Sequence, residues 1–102
     1  MAGDRDLLDA VVAAAIDEIP VLARAIGNAI EAGDAPALRL AAHSLKGSLR
    51  IFGELPAVES AARIEAIARE GKAEEAAALV EELRVHLEAV AALLRERRDR
   101  KE

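Results

Sequence analysis

Cysteine, tryptophan and tyrosine are absent from this 102-residue chain, and phenylalanine occurs once. The lack of cysteine excludes disulfides, thiolate metal sites and a thiol nucleophile together. So few aromatics, set against an abundance of Ala, Glu, Leu and Arg, bias the chain toward helix and away from sheet. No apolar run approaches the roughly 20 residues that span a bilayer, and the opening MAGDRDLLDA is acidic where a secretion signal is basic and then apolar. The expectation is a cytoplasmic protein with no membrane insertion. Basic residues are also the minority, 14 against 19 acidic, for a formal charge of -5, which argues against a nucleic-acid or anionic-membrane partner. No P-loop or Gly-rich ATP motif is present. A chain this short makes one domain, 1–102, with too little length for separate cofactor and substrate domains.

What glycine and proline there is acts as punctuation. In EAGDAPAL (31–38) Gly33 can end a helix in the left-handed conformation, Asp34 can cap the next, and Pro36 falls in a first turn where its missing N–H does no harm. Gly53 and Pro56 repeat that order, Gly71 supplies a third turn, and Pro20 marks an earlier break. The spacing predicts helices over about 5–18, 20–32, 35–52, 55–70 and 73–97, with 1–4 and 98–102 frayed. Short turns between long helices make neighbours antiparallel. The expected fold is all-α, an up-and-down antiparallel four-helix bundle preceded by a short additional N-terminal helix.

One stretch, HSLKGSLRIFG (43–53), departs from ordinary helix composition. An interior Gly costs a helix roughly 1 kcal/mol relative to Ala. Leu38, Ala42, Leu45, Leu49 and Phe52 form the apolar stripe, which leaves His43 roughly 140° from its centre and Gly47 nearly opposite it. Arg39, Lys46 and Arg50 flank them, and residues 35–52 contain no acid at all. A neutral imidazole is a nucleophile near pH 7 and one of few side chains that accept a phosphoryl group. Neighbouring cations would stabilise the arriving charge, and Gly47 would admit a close partner surface. Spacing alone leaves this open beside the plainer reading of a solvated, basic helix face.

His-Ser-Leu-Lys-Gly-Ser followed by Phe52-Gly53 resembles the signature of the histidine-containing phosphotransfer (HPt) domain of two-component phosphorelays. EAGDAPALRLAAHSLKGS (31–48), the Ile64-Glu65 pair and AREGKAEEAAALVEEL (68–83) also fall where that family has its helix ends and later helices. The resemblance implies that His43 accepts a phosphoryl group from a receiver-domain aspartate or a sensor histidine kinase and passes it to a receiver aspartate. Lys46 would help hold the group and Gly47 would make room for docking. Counting without gaps, Glu65 stands where the family places a polar residue that bonds the ring nitrogen not carrying phosphate, fixing Nε2 as the nucleophile. The plainer alternative for Glu65 is a surface position on an amphipathic helix.

Arg39, Leu40, Ser48, Arg50 and Ile51 are the candidate partner-facing residues, with Leu40 and Ile51 as exposed apolar contacts around a basic patch. Leu49-Arg50-Ile51 departs from the small residues the family often carries after its Gly. The implied cofactor is Mg²⁺ on the partner receiver, none on this chain, and the expected state is a monomer without ATP-dependent kinase activity. His86 falls among Leu79, Leu83, Leu87, Val90 and Leu94 and is read as a packed or edge-of-core histidine. Two other functions are weighed: a helical scaffold that docks receivers without taking phosphate, and the dimerisation hairpin of a sensor kinase. The hairpin family usually has Glu directly after its His and Pro five residues on, places held here by Ser44 and Ser48.

Overall fold

The computed structural model describes the backbone of residues 2–100 and the side chains of residues 6–100. Four helices follow one another, α1 (Ala2–Ala32), α2 (Ala35–Arg50), α3 (Pro56–Arg69) and α4 (Ala77–Asp99), with a single 3₁₀ turn (Ala73–Ala76) leading into α4. Each packs on its sequence neighbours, and α1 closes the ring against α4. The pairings Ser60 with His86 and Arg63 with Glu82 run in opposite directions along α3 and α4, as an antiparallel pair requires. The molecule measures 46 × 21 × 21 Å. At 1.5 Å per residue the 31 residues of α1 span about 46 Å, so α1 alone accounts for the long axis.

The turns follow the local chemistry. Gly33, Gly53 and Gly71 each take a positive φ. After Gly33, the Ala37 N–H donates to Asp34 Oδ1 at 3.1 Å and caps α2. Pro56 opens α3 in its first turn. The α2 helix stops at Arg50, two residues short of expectation, because the Phe52 and Gly53 N–H groups tighten back onto Leu49 and Arg50 carbonyls at 3.0 and 3.1 Å. The first four residues of the expected last helix form the 3₁₀ turn instead.

The separate short N-terminal helix does not occur: α1 is continuous through Pro20. A proline inside a helix removes one hydrogen bond, at a cost of about 3 kcal/mol. Here Pro20 lies on the exposed side of α1. The buried stripe Val12, Ala15, Ile19, Ile26 and Ala29 runs past the proline on one face, and packing of that stripe holds the helix together across it. Backbone helix extends through residues 2–4 and 98–99, while Met1, Lys101 and Glu102 lie outside the described residues.

The core is aliphatic. Ile26, Leu38, Leu45, Leu49 and Ile64 are fully buried, and Ala41, Ala42, Ala57, Ala61, Ala68, Ala73 and Ala76 fill the space between helices. The apolar stripe of α2 is therefore its core face, with Phe52 only partly buried at the margin. The two buried polar side chains among the described residues are Ser60 and Glu65, both on α3.

Candidate functional site

The core face of α2 determines what its opposite face presents. Burial of Leu38, Ala42, Leu45 and Leu49 turns Arg39, His43, Gly47 and Arg50 outward at steps of four, four and three, a continuous strip along the exposed side. His43 is 66% exposed. A Cβ added at Gly47 would meet nothing within 4 Å, so no internal contact demands a glycine there. Leu40 and Ile51 are exposed at 68% and 66% and flank the strip. Arg50 reaches Glu54 on the following turn at 3.5 Å.

The facing helix supplies an anion. Glu65 on α3 is 3% exposed, far from the surface position its amphipathic helix allowed, and its carboxylate lies against α2. His43 Nδ1 is 2.9 Å from Glu65 Oε2, and Lys46 Nζ is 2.7 Å from Oε1. Arg69, one helical turn beyond Glu65, places Nη2 2.9 Å from Oε2. Burial opposes ionisation of Glu65, but hydrogen bonds from Lys46 and His43, together with the Lys46 charge, outweigh it and hold its pKa below the ordinary carboxylate value. An ionised carboxylate only accepts hydrogen bonds. The contact with His43 therefore puts the ring proton on Nδ1 and leaves the lone pair of Nε2 directed away from Glu65.

Two expected residues are occupied differently from a simple basic patch. Lys46 is 19% exposed and engaged by Glu65, so its ammonium compensates a buried charge rather than standing free in solvent. Ser48 donates its hydroxyl to Glu18 Oε1 on α1 at 2.9 Å, so α1 brings a carboxylate to the edge of the exposed strip. Arg69 and Glu18 were not anticipated. Arg69 is i+4 from Glu65 and was available from helix periodicity; Glu18 depends on how α1 and α2 align, which no local pattern encodes.

His86, by contrast, is partly buried and its Nδ1 lies 2.7 Å from the Ser60 hydroxyl, in keeping with a packed histidine. An open groove of about 490 Å³ between α1 and α4, lined by Ile19, Ala23, Leu83 and Leu87 among others, contains none of the candidate residues. Among the described residues no group of three His, Cys, Asp or Glu side chains is placed to hold a metal ion, and no helix is long and apolar enough to cross a membrane.

Comparison with known proteins identifies the family. The Hpt domain model matches residues 10–93, a span that includes His43, Lys46, Glu65 and Arg69. The crystal structure of histidine-containing phosphotransfer protein B (HptB) from Pseudomonas aeruginosa PAO1 superimposes with a TM-score of 0.89 at 28% identity, covering 96% of this chain and 85% of that one. Among curated proteins none matches the chain. The phosphotransfer role is favoured over the scaffold and the kinase hairpin. An all-helical bundle, an exposed histidine backed by a buried carboxylate and a family match across most of its length lead to one conclusion: the chain belongs to the Hpt domain family and serves as a histidine phosphotransfer module in a phosphorelay.

Proposed function

We propose that His43 is the residue that carries the phosphoryl group. Its Nε2 lone pair attacks the phosphorus of a receiver aspartyl phosphate, or of a phosphorylated kinase histidine. The new N–P bond forms as the donor's bond to phosphorus breaks: the acyl O–P bond of the aspartyl phosphate, releasing the aspartate as a carboxylate, or the N–P bond of the kinase histidine, releasing its imidazole. The ring keeps its proton on Nδ1 and becomes cationic, and Glu65 stabilises that charge at 2.9 Å. Transfer onward reverses each step. The observation that carries this reading is the exposed imidazole held through Nδ1 by a buried, ionised carboxylate.

Lys46 keeps Glu65 charged and stands one turn from His43, where its ammonium can also turn toward an arriving phosphoryl group. Gly47 leaves open space beside His43 for a receiver surface. Arg39, Leu40, Arg50 and Ile51 line the docking face, and Ser48 takes part through the Glu18 carboxylate that it holds. The receiver brings its own acidic pocket and Mg²⁺, and this chain works without a cofactor as a cytoplasmic monomer that moves a phosphoryl group and does not hydrolyse ATP. Incubation with phosphorylated receivers, followed by intact mass, tests the reading. Acid-labile label on wild type and on His86→Gln, with none on His43→Gln, is the expected result. Label persisting on a folded His43→Gln protein would overturn it.

A further inference from the structure

Glu65 has more partners than its burial demands. One carboxylate at 3% exposure needs one cation close by, and Lys46 supplies it at 2.7 Å on Oε1. Arg69 adds a second, and on the other oxygen: its Nη2 lies 2.9 Å from Oε2, the atom that also accepts from His43 Nδ1 at 2.9 Å. Two donors on one oxygen compete, each drawing electron density from the other. Arg69 is the last residue of α3 and is 59% exposed, so its guanidinium is set at the rim of the site rather than fixed within the core.

We infer that Arg69 is a positioning residue that acts on His43 through Glu65, weakening the Nδ1–H···Oε2 bond and so limiting how far the phosphoryl group is held on this chain instead of on the partner aspartate. The inference rests on His43 being the acceptor. Its logic is electrostatic. Phosphorylation at Nε2 makes the ring cationic, and the phosphorylated form is favoured in proportion to the strength with which Oε2 receives the Nδ1 proton. Arg69 takes part of that oxygen and adds a like charge beside the ring. Both effects disfavour phosphohistidine. A relay must release what it accepts, and a carboxylate shared between His43 and Arg69 holds the ring in its tautomer without holding the phosphoryl group too tightly.

The test uses the full chain as wild type, Arg69→Gln, Arg69→Lys and, as a control, Arg63→Gln, whose residue pairs with Glu82 away from the site. Each is equilibrated with one phosphorylated receiver domain and the label partition read by intact mass; the Nδ1 proton of His43 is followed by NMR without phosphate present. Arg69→Gln is expected to move the partition about two- to fivefold toward phosphohistidine, the weight of a partly exposed ion pair. Its Nδ1 proton should move downfield, Arg69→Lys should return most of both effects, and Arg63→Gln should leave both unchanged. A partition shifted toward the receiver would mean that Arg69 acts on the phosphoryl group itself, and would overturn the inference. So would an unmoved partition and proton on a wild-type chain that takes label. A wild-type chain that takes no label from any receiver would instead overturn the acceptor reading and this inference with it.

Discussion

The chain contains two histidines, and α3 provides a hydrogen-bond partner for each. His43 on α2 directs Nδ1 to Glu65, and His86 on α4 directs Nδ1 to Ser60, at 2.9 and 2.7 Å. Both partners are nearly inaccessible to solvent. They differ in charge. Glu65 is an ionised acceptor, so the proton must sit on Nδ1 and Nε2 keeps its lone pair. A hydroxyl donates or accepts, so Ser60 imposes no tautomer. The surroundings differ in the same sense: His43 is 66% exposed with Arg39, Lys46 and open space at Gly47 around it, whereas His86 is partly buried at the edge of the core. A buried hydrogen bond to a histidine is thus not enough to mark a phosphoryl acceptor. What sets His43 apart, and supports its proposed role, is an anionic partner, an outward Nε2 and an uncrowded approach.

The most drastic way to break this contrast is to give His86 an anion. Ser60→Asp buries a carboxylate whose neighbour is the His86 ring, without the permanent cation that Lys46 gives Glu65. The expected cost is about 3 kcal/mol or more in urea denaturation, and His86 still takes no label because its ring stays at the core edge. The reverse change, Glu65→Gln, keeps an acceptor for Nδ1–H but removes the charge. Phosphoryl uptake should fall about tenfold in a stopped-time transfer assay, the difference between a charge-assisted and a neutral hydrogen bond. His86→Gln should leave the rate within about twofold under the same conditions, since a remote substitution does not couple to the site.

Acid sharpens the contrast further. The folded-state pKa of Glu65 is depressed below its ordinary 4.5 by Lys46 and His43, against the opposing effect of burial. A depressed carboxylate contributes stability that is present above the unfolded value and lost as pH falls through the folded one. Wild type should therefore lose stability below about pH 4.5, and Glu65→Gln should lose less over the same range when denaturation midpoints are compared. The smallest effect belongs to Ser60→Ala. Loss of one hydrogen bond should lower stability by about 1 kcal/mol, with transfer through His43 unchanged.

Helix ends were the most legible part of the fold, because Gly33, Asp34 and Pro56 act through neighbours a few residues away. Pro20 misled for the complementary reason: its local tendency to end a helix is overridden by a buried stripe running from Val12 to Ala29. At the site, periodicity alone set His43 and Gly47 opposite the core and Lys46 and Arg50 beside them, and the contact with Glu65 was reached by counting along a resemblance. Burial of Glu65 was not readable from its own helix, since its depth depends on how α2 covers α3. Arg69 had a periodic signal but no meaning until that depth was known. The engagement of Ser48 by Glu18 joins residues 30 positions apart across two helices and left no local trace.

The central claim is that Glu65 fixes the His43 tautomer and leaves Nε2 to take the phosphoryl group. Long-range proton–nitrogen correlation spectra of the imidazoles, recorded before and after phosphorylation of ¹⁵N-labelled protein, test it most directly. The account predicts an Nδ1-protonated His43 in the free protein, phosphorus bonded to His43 Nε2 after transfer, and no change at His86. A proton on Nε2 of free His43, or phosphorus on Nδ1 or on His86, would contradict it.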